Sequence, residues 1–82
     1  AIELRIVAAG ARRDLGEVDA AIVTLQTKDL NNENEGWAIR LRYAYADALD
    51  AAGRKEESRE WFAKCAELDP DKFTDALERS QS

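Results

Sequence analysis

Histidine is missing from this chain, and with it go the usual general base and the commonest metal ligand. Cysteine occurs once, so no internal disulfide can form, and a reducing, cytoplasmic setting is expected. Methionine is also missing, so Ala1 is expected to follow a start that lies outside these residues. No apolar run reaches the roughly 18 residues that span a bilayer, and no signal-peptide pattern opens the chain. Positive charge is in deficit, with a net charge of −5, which argues against the clustered basic surface of a nucleic-acid binder. The acidic residues follow no calcium-loop spacing and read as solvated helix faces. No cofactor, no metal, no membrane contact and no nucleic acid are expected, and no nucleophile motif nominates an enzyme.

What remains is 82 residues, 45% of them apolar, which is enough for one small domain with a modest core. Apolar spacing at three- and four-residue steps predicts helices and no strand. The first helix is expected over about 3–14, with Leu4, Ala8, Ala11 and Leu15 covering the second and Gly16 ending it. A second helix is expected over about 18–30 with the stripe Val18, Ala21, Ile22 and Leu25, followed by a loop over 31–36. The third is expected over about 37–52, packing through Ala38, Leu41, Tyr45, Leu49 and Ala52, and Gly53 ends it. The fourth is expected over about 55–68, with Phe62, Cys65, Ala66 and Leu68 inward and a Glu60–Lys64 pair outside. Asp69-Pro70 closes it, because the residue before Pro disfavours helix. A short helix over about 71–79 is expected to fold Phe73, Ala76 and Leu77 back onto the fourth.

The two halves repeat. Leu15-Gly16-Glu17 stands over Ala52-Gly53-Arg54, with the glycines 37 residues apart, and Leu25 falls over Phe62. A period of this size is the mark of stacked helix pairs. The second half resembles the tetratricopeptide family, whose pattern is W-x2-L-G-x2-Y, then A-x3-F, A and P. Tyr45 stands at the Leu site, Ala46 at the small site, Leu49 at the Tyr site, Ser58 and Phe62 at the A-x3-F sites, Cys65 at the second Ala and Pro70 at the Pro. Arg42 replaces the family's Trp. The first half matches through Ala8, Ala9, Ala21 and Leu25, but Arg12 stands where the aromatic belongs and no Pro ends it.

The resemblance implies an all-α fold: a right-handed α–α superhelix of two helix pairs, over about 3–30 and 37–69, with a capping helix over about 71–79. It implies a single domain over 1–82 that binds a protein or peptide in a groove lined by the first helix of each pair. On the third helix that face carries Arg40, Tyr43, Asp47 and Asp50; on the first it carries Ile6, Gly10 and Arg13. The candidate partner-binding residues are therefore Arg13, Arg40, Tyr43, Asp47 and Asp50. Members that clamp a terminal carboxylate use Lys, Arg and Asn on these faces; the corresponding positions hold Ile6, Gly10, Tyr43 and Asp47, and only Arg40 suits that task, so that activity is not expected. Trp37 and Trp61 read equally as interface anchors or as packing. Cys65 reads as a small buried residue rather than a reactive thiol. The alternative is self-association. Ile2 and Ile6 lie off the expected first-helix stripe, and burying them is expected to need a second copy or upstream repeats of a longer chain.

Overall fold

Two glycines turn the chain, and they do so in the same way. In the computed structural model, which describes residues 1–81, Gly16 has φ +83° and Gly53 φ +81°. At the first, Glu17 N–H donates to Arg12 O and Gly16 N–H to Arg13 O; at the second, Arg54 N–H donates to Leu49 O and Gly53 N–H to Asp50 O. This is one helix-ending motif used twice, with glycine in the left-handed conformation that a side chain disfavours. It ends α1 (Ile2–Asp14) before α2 (Val18–Leu25), and α3 (Ala38–Ala51) before α4 (Lys55–Glu67). Connections this short make each pair antiparallel. A short α5 (Ala76–Ser80) follows; no strand occurs among the described residues.

α3 is the central element and is buried on several sides. Leu41, Tyr45, Ala48 and Leu49 join Ala9, Ala21, Ile22, Leu25 and Leu30 in the larger core. Ala46 joins Phe62, Cys65 and Ala76 in the smaller one. The small sites work as close-approach points: Ser58 Oγ donates to Ala46 O at 2.8 Å, and Cys65 Sγ reaches Ile39 O at 3.4 Å. Tyr43 and Tyr45 meet Phe62 and Trp61 edge to face, each with ring centroids 5.2 Å apart. The Glu60–Lys64 pair forms at 3.4 Å, with Lys64 Nζ also 4.3 Å from the Trp61 ring.

Arg42, in the family's Trp site, does not loosen the core. Its guanidinium is buried and stitches two elements together: Nε donates to Leu30 O at 3.1 Å and Nη1 to Lys64 O at 2.8 Å. The second bond serves the end of α4, where Leu68 N–H turns to Cys65 O and the helix tightens.

Three expectations need correction. The stripe Leu4, Ala8, Ala11 and Leu15 faces solvent, and the inward face of α1 is Ile2, Ile6 and Ala9, with Arg13 half-buried beside them. Both faces are apolar, so periodicity could not choose; the small Ala9 fits the crossing with α2 and α3. The second helix stops at Leu25, not near residue 30. Thr24 Oγ1 donates back to Ala20 O, and Thr27 Oγ1 accepts from Asp29 N–H, starting a separate 3-10 turn, Lys28–Asn31, that buries Leu30. The last helix begins at Ala76 rather than near 71. The Asp69 carboxylate gathers Phe73 N–H, Thr74 N–H and the Thr74 hydroxyl, Lys72 takes φ +57°, and the chain is held in turns up to Asp75. As a result Phe73 is 85% exposed and Leu77 is exposed, leaving Ala76 alone fully packed.

Candidate protein-interaction surface

The face of α3 that carries Arg40, Tyr43, Asp47 and Asp50 lies beside the α1 face that carries Ile6, Gly10 and Arg13. A depression of about 220 Å³ runs between them, lined by Ile6, Gly10, Arg13, Tyr43, Ala44 and Asp47 among others. It shares Ile6, Tyr43 and Ala44 with a wider one of about 520 Å³, which Arg40, Phe73, Thr74 and Asp75 complete. Together they form a groove with an apolar floor. Gly10 lines it, and a Cβ there would meet no atom within 4 Å beyond its chain neighbours and the helix's own backbone.

The five candidate residues do not share one state. Arg13, Asp47 and Asp50 belong to a ladder of alternating charge. Arg13 Nε lies 2.9 Å from Asp47 Oδ2, an ionic contact off the hydrogen-bond direction. Asp47 Oδ1 meets Arg79 Nη1 at 3.1 Å, Arg79 Nη2 meets Asp50 Oδ2 at 3.4 Å, and Asp50 Oδ1 meets Lys55 Nζ at 2.6 Å. The Lys55 hydrogen bond holds the Asp50 carboxyl below its ordinary pKa. These two carboxylates are occupied by the chain's own cations.

Tyr43 is tied at its hydroxyl, which donates to Asp75 Oδ1 at 2.5 Å and accepts from Arg79 Nη1 at 3.1 Å. Burial first, and the Asp75 carboxylate second, raise its pKa above the ordinary phenol value. Tyr43 still lines the groove. Arg40 is the more available cation: its one ion pair among the described residues, to Glu3 at 3.1 Å, is exposed on both sides. Sequence reasoning missed Arg79. It lies on α5, stacks 4.3 Å over the Phe62 ring and organises Tyr43, Asp47 and Asp50 at once. Its arginine identity was the signal, but its reach depends on where α5 docks.

Ile2 and Ile6, whose burial is expected to need a second copy or upstream repeats, are instead half-buried against the chain's own larger core. Trp37 and Trp61 are half-buried in the same cluster. Cys65 is fully enclosed, and burial pushes its thiol up to about 11. No His/Cys/Asp/Glu group able to hold a metal occurs among the described residues, and no helix there is long and apolar enough to cross a membrane.

A family profile described as Tetratricopeptide repeat matches residues 39–72. No curated protein and no solved structure gives a significant match.

Proposed function

From a second helix pair that is a tetratricopeptide repeat, a class that mediates protein–protein interaction, we propose that this chain binds a peptide segment of a partner protein in the groove between α1 and α3. The observation that carries the reading is the groove's composition. Ile6, Ala44, the Tyr43 ring and the exposed Phe73 offer an apolar floor and wall, while Arg40 and Asp75 stand at its sides with opposite charge. The ladder Arg13–Asp47–Arg79–Asp50–Lys55 is the frame that holds α1, α3 and α5 at fixed spacing. The peptide would place an apolar side chain over Ile6 and Ala44 and an acidic group towards Arg40.

The test is a peptide-library selection on the folded chain, with affinities of the selected peptides measured by fluorescence polarisation. Gly10→Arg should obstruct the groove without unfolding α1, because Arg has higher helix propensity than Gly and its Cβ meets nothing. Each of Gly10→Arg and Arg40→Glu should weaken binding at least about tenfold, which is roughly 1.4 kcal/mol. Selected peptides that bind both variants as tightly as the native chain would place the interaction on another surface.

A further inference from the structure

We propose that the outer face of α1 is a self-pairing surface, through which two copies of this chain associate with their first helices parallel about a two-fold axis. This does not rest on the groove reading, since the groove uses the inner and lateral faces of α1.

The helix is apolar on two opposite sides. Ile2, Ile6 and Ala9 meet the chain's own core. Leu4, Val7, Ala8, Ala11 and Leu15 recur at steps of three and four on the far side. That side is open to solvent, with Leu4 and Val7 each 70% exposed and Leu15 76%. An apolar stripe of this spacing along a surface helix is the kind that packs against another helix.

The charges flanking the stripe select the occupant and its direction. At about 100° per residue, Glu3 and Asp14 run along one edge of the stripe, and Arg5 and Arg12 along the other. A two-fold axis parallel to the helices sets the acidic edge of each copy against the basic edge of the other. An axis perpendicular to them makes the helices antiparallel and sets acid against acid and base against base, which is repulsive. In the parallel register, Leu4, Ala11 and Leu15 each face the same residue of the second copy. Glu3 then lies about 3 Å along the axis from Arg5 of the second copy, and Asp14 about 3 Å from Arg12 of the second copy. The symmetry doubles both, giving four cross-helix ion pairs. Within the chain these groups are held loosely: Glu3 by exposed Arg40 at 3.1 Å, Arg12 by exposed Glu17 at 3.9 Å, and Asp14 by its neighbour Arg13 at 4.0 Å. Arg5 has no ion pair among the described residues. An acidic edge, an apolar stripe and a basic edge on one helix complement a parallel copy of that same helix. The contact spans one 13-residue helix, about 20 Å long, so the association belongs with small, concentration-dependent interfaces.

Sedimentation equilibrium across a wide concentration range tests this. The native chain should rise from its 9.2 kDa monomer mass towards twice that value. Val7→Glu, whose side chain is outside the core, should keep native circular dichroism and remain a monomer throughout. Arg5→Glu with Arg12→Glu should also be monomeric, and should associate again when mixed with a Glu3→Lys, Asp14→Lys chain. Direction is read from Leu4→Cys, which mild oxidation should convert to a covalent dimer; buried Cys65 does not compete. A native chain that stays monomeric, or a Val7→Glu chain that associates as the native one does, would overturn the surface. Association with no Leu4→Cys cross-link would overturn the parallel arrangement.

Discussion

Arg42→Ala is expected to be among the most damaging single changes in this chain, although it removes a charged residue. Arg42 is 5% exposed, and its guanidinium supplies the donor for Leu30 O at 3.1 Å and for Lys64 O at 2.8 Å. Alanine leaves both carbonyls without it. A buried acceptor deprived of its partner costs about 1–3 kcal/mol. The Leu30 carbonyl is in the buried region and the Lys64 carbonyl is only partly enclosed, so about 1.5 kcal/mol each is a reasonable working value. Loss of the packed methylene stem adds about 1 kcal/mol, and the relieved desolvation of the cation offsets part of the total. The expected net loss is about 3–4 kcal/mol against a domain stability of about 5–15 kcal/mol. With a urea slope of about 1–2 kcal/mol/M, the midpoint should fall by about 2 M. Circular dichroism during urea titration measures it. Arg42→Met, which keeps the stem, should lose about 2–3 kcal/mol. Glu33→Gln should stay within about 0.5 kcal/mol, because that carboxylate is exposed and 3.6 Å from Nη2. A loss below about 1 kcal/mol for Arg42→Ala would refute the stitching role.

Gly16→Ala and Gly53→Ala should each cost roughly 1–2 kcal/mol, and by similar amounts, since both sit near φ +80° with no steric obstacle to a Cβ; unequal losses in paired denaturation curves would argue against equivalent turns. Three hydrogen bonds, that from the Thr74 hydroxyl foremost, hold the Asp69 carboxyl below its ordinary value of 3.8. The stability they contribute is present above pH 3.8 and is lost as pH falls through the lower folded value. Acid should therefore loosen residues 70–75 and α5, seen as amide exchange at Phe73 and Thr74, and Asp69→Asn should flatten that dependence. Cys65, raised to about 11 by burial, should resist alkylation at pH 8 in the folded chain and react readily in denaturant; fast alkylation of the native chain would contradict the packing around it.

The resemblance drawn from residues 39–70 foretold a good deal of the interior. Tyr45, Leu49, Ser58, Phe62 and Cys65 occupy packing sites that the motif spacing defines, and all are buried. Gly16 and Gly53 were legible because a left-handed residue at a helix end strongly favours glycine, whatever the surrounding structure. The direction of the third-helix stripe followed from its apolar spacing, where one face clearly exceeded the rest.

Tertiary structure decided what local pattern left degenerate. α1 is apolar on two sides, and only its docking against α2 and α3 determines that Ile2, Ile6 and Ala9 turn inward while Leu4, Val7 and Leu15 face out. The end of α2 and the start of α5 depend on side chains that compete with the helix for backbone groups, as Thr27 and Asp69 do, and propensity sums do not register that competition. The candidate groove residues were readable as a helix face, but their state was not. Asp47 and Asp50 are engaged because Arg79 arrives from α5, 32 and 29 residues further along the chain. Arg42 shows the same limit most sharply. The family resemblance marks it as a charge at an apolar site, a position normally disfavoured by desolvation. Only the fold brings the carbonyls of Leu30 and Lys64 to its guanidinium, and that supply of acceptors turns a costly burial into a cross-link between the two helix pairs.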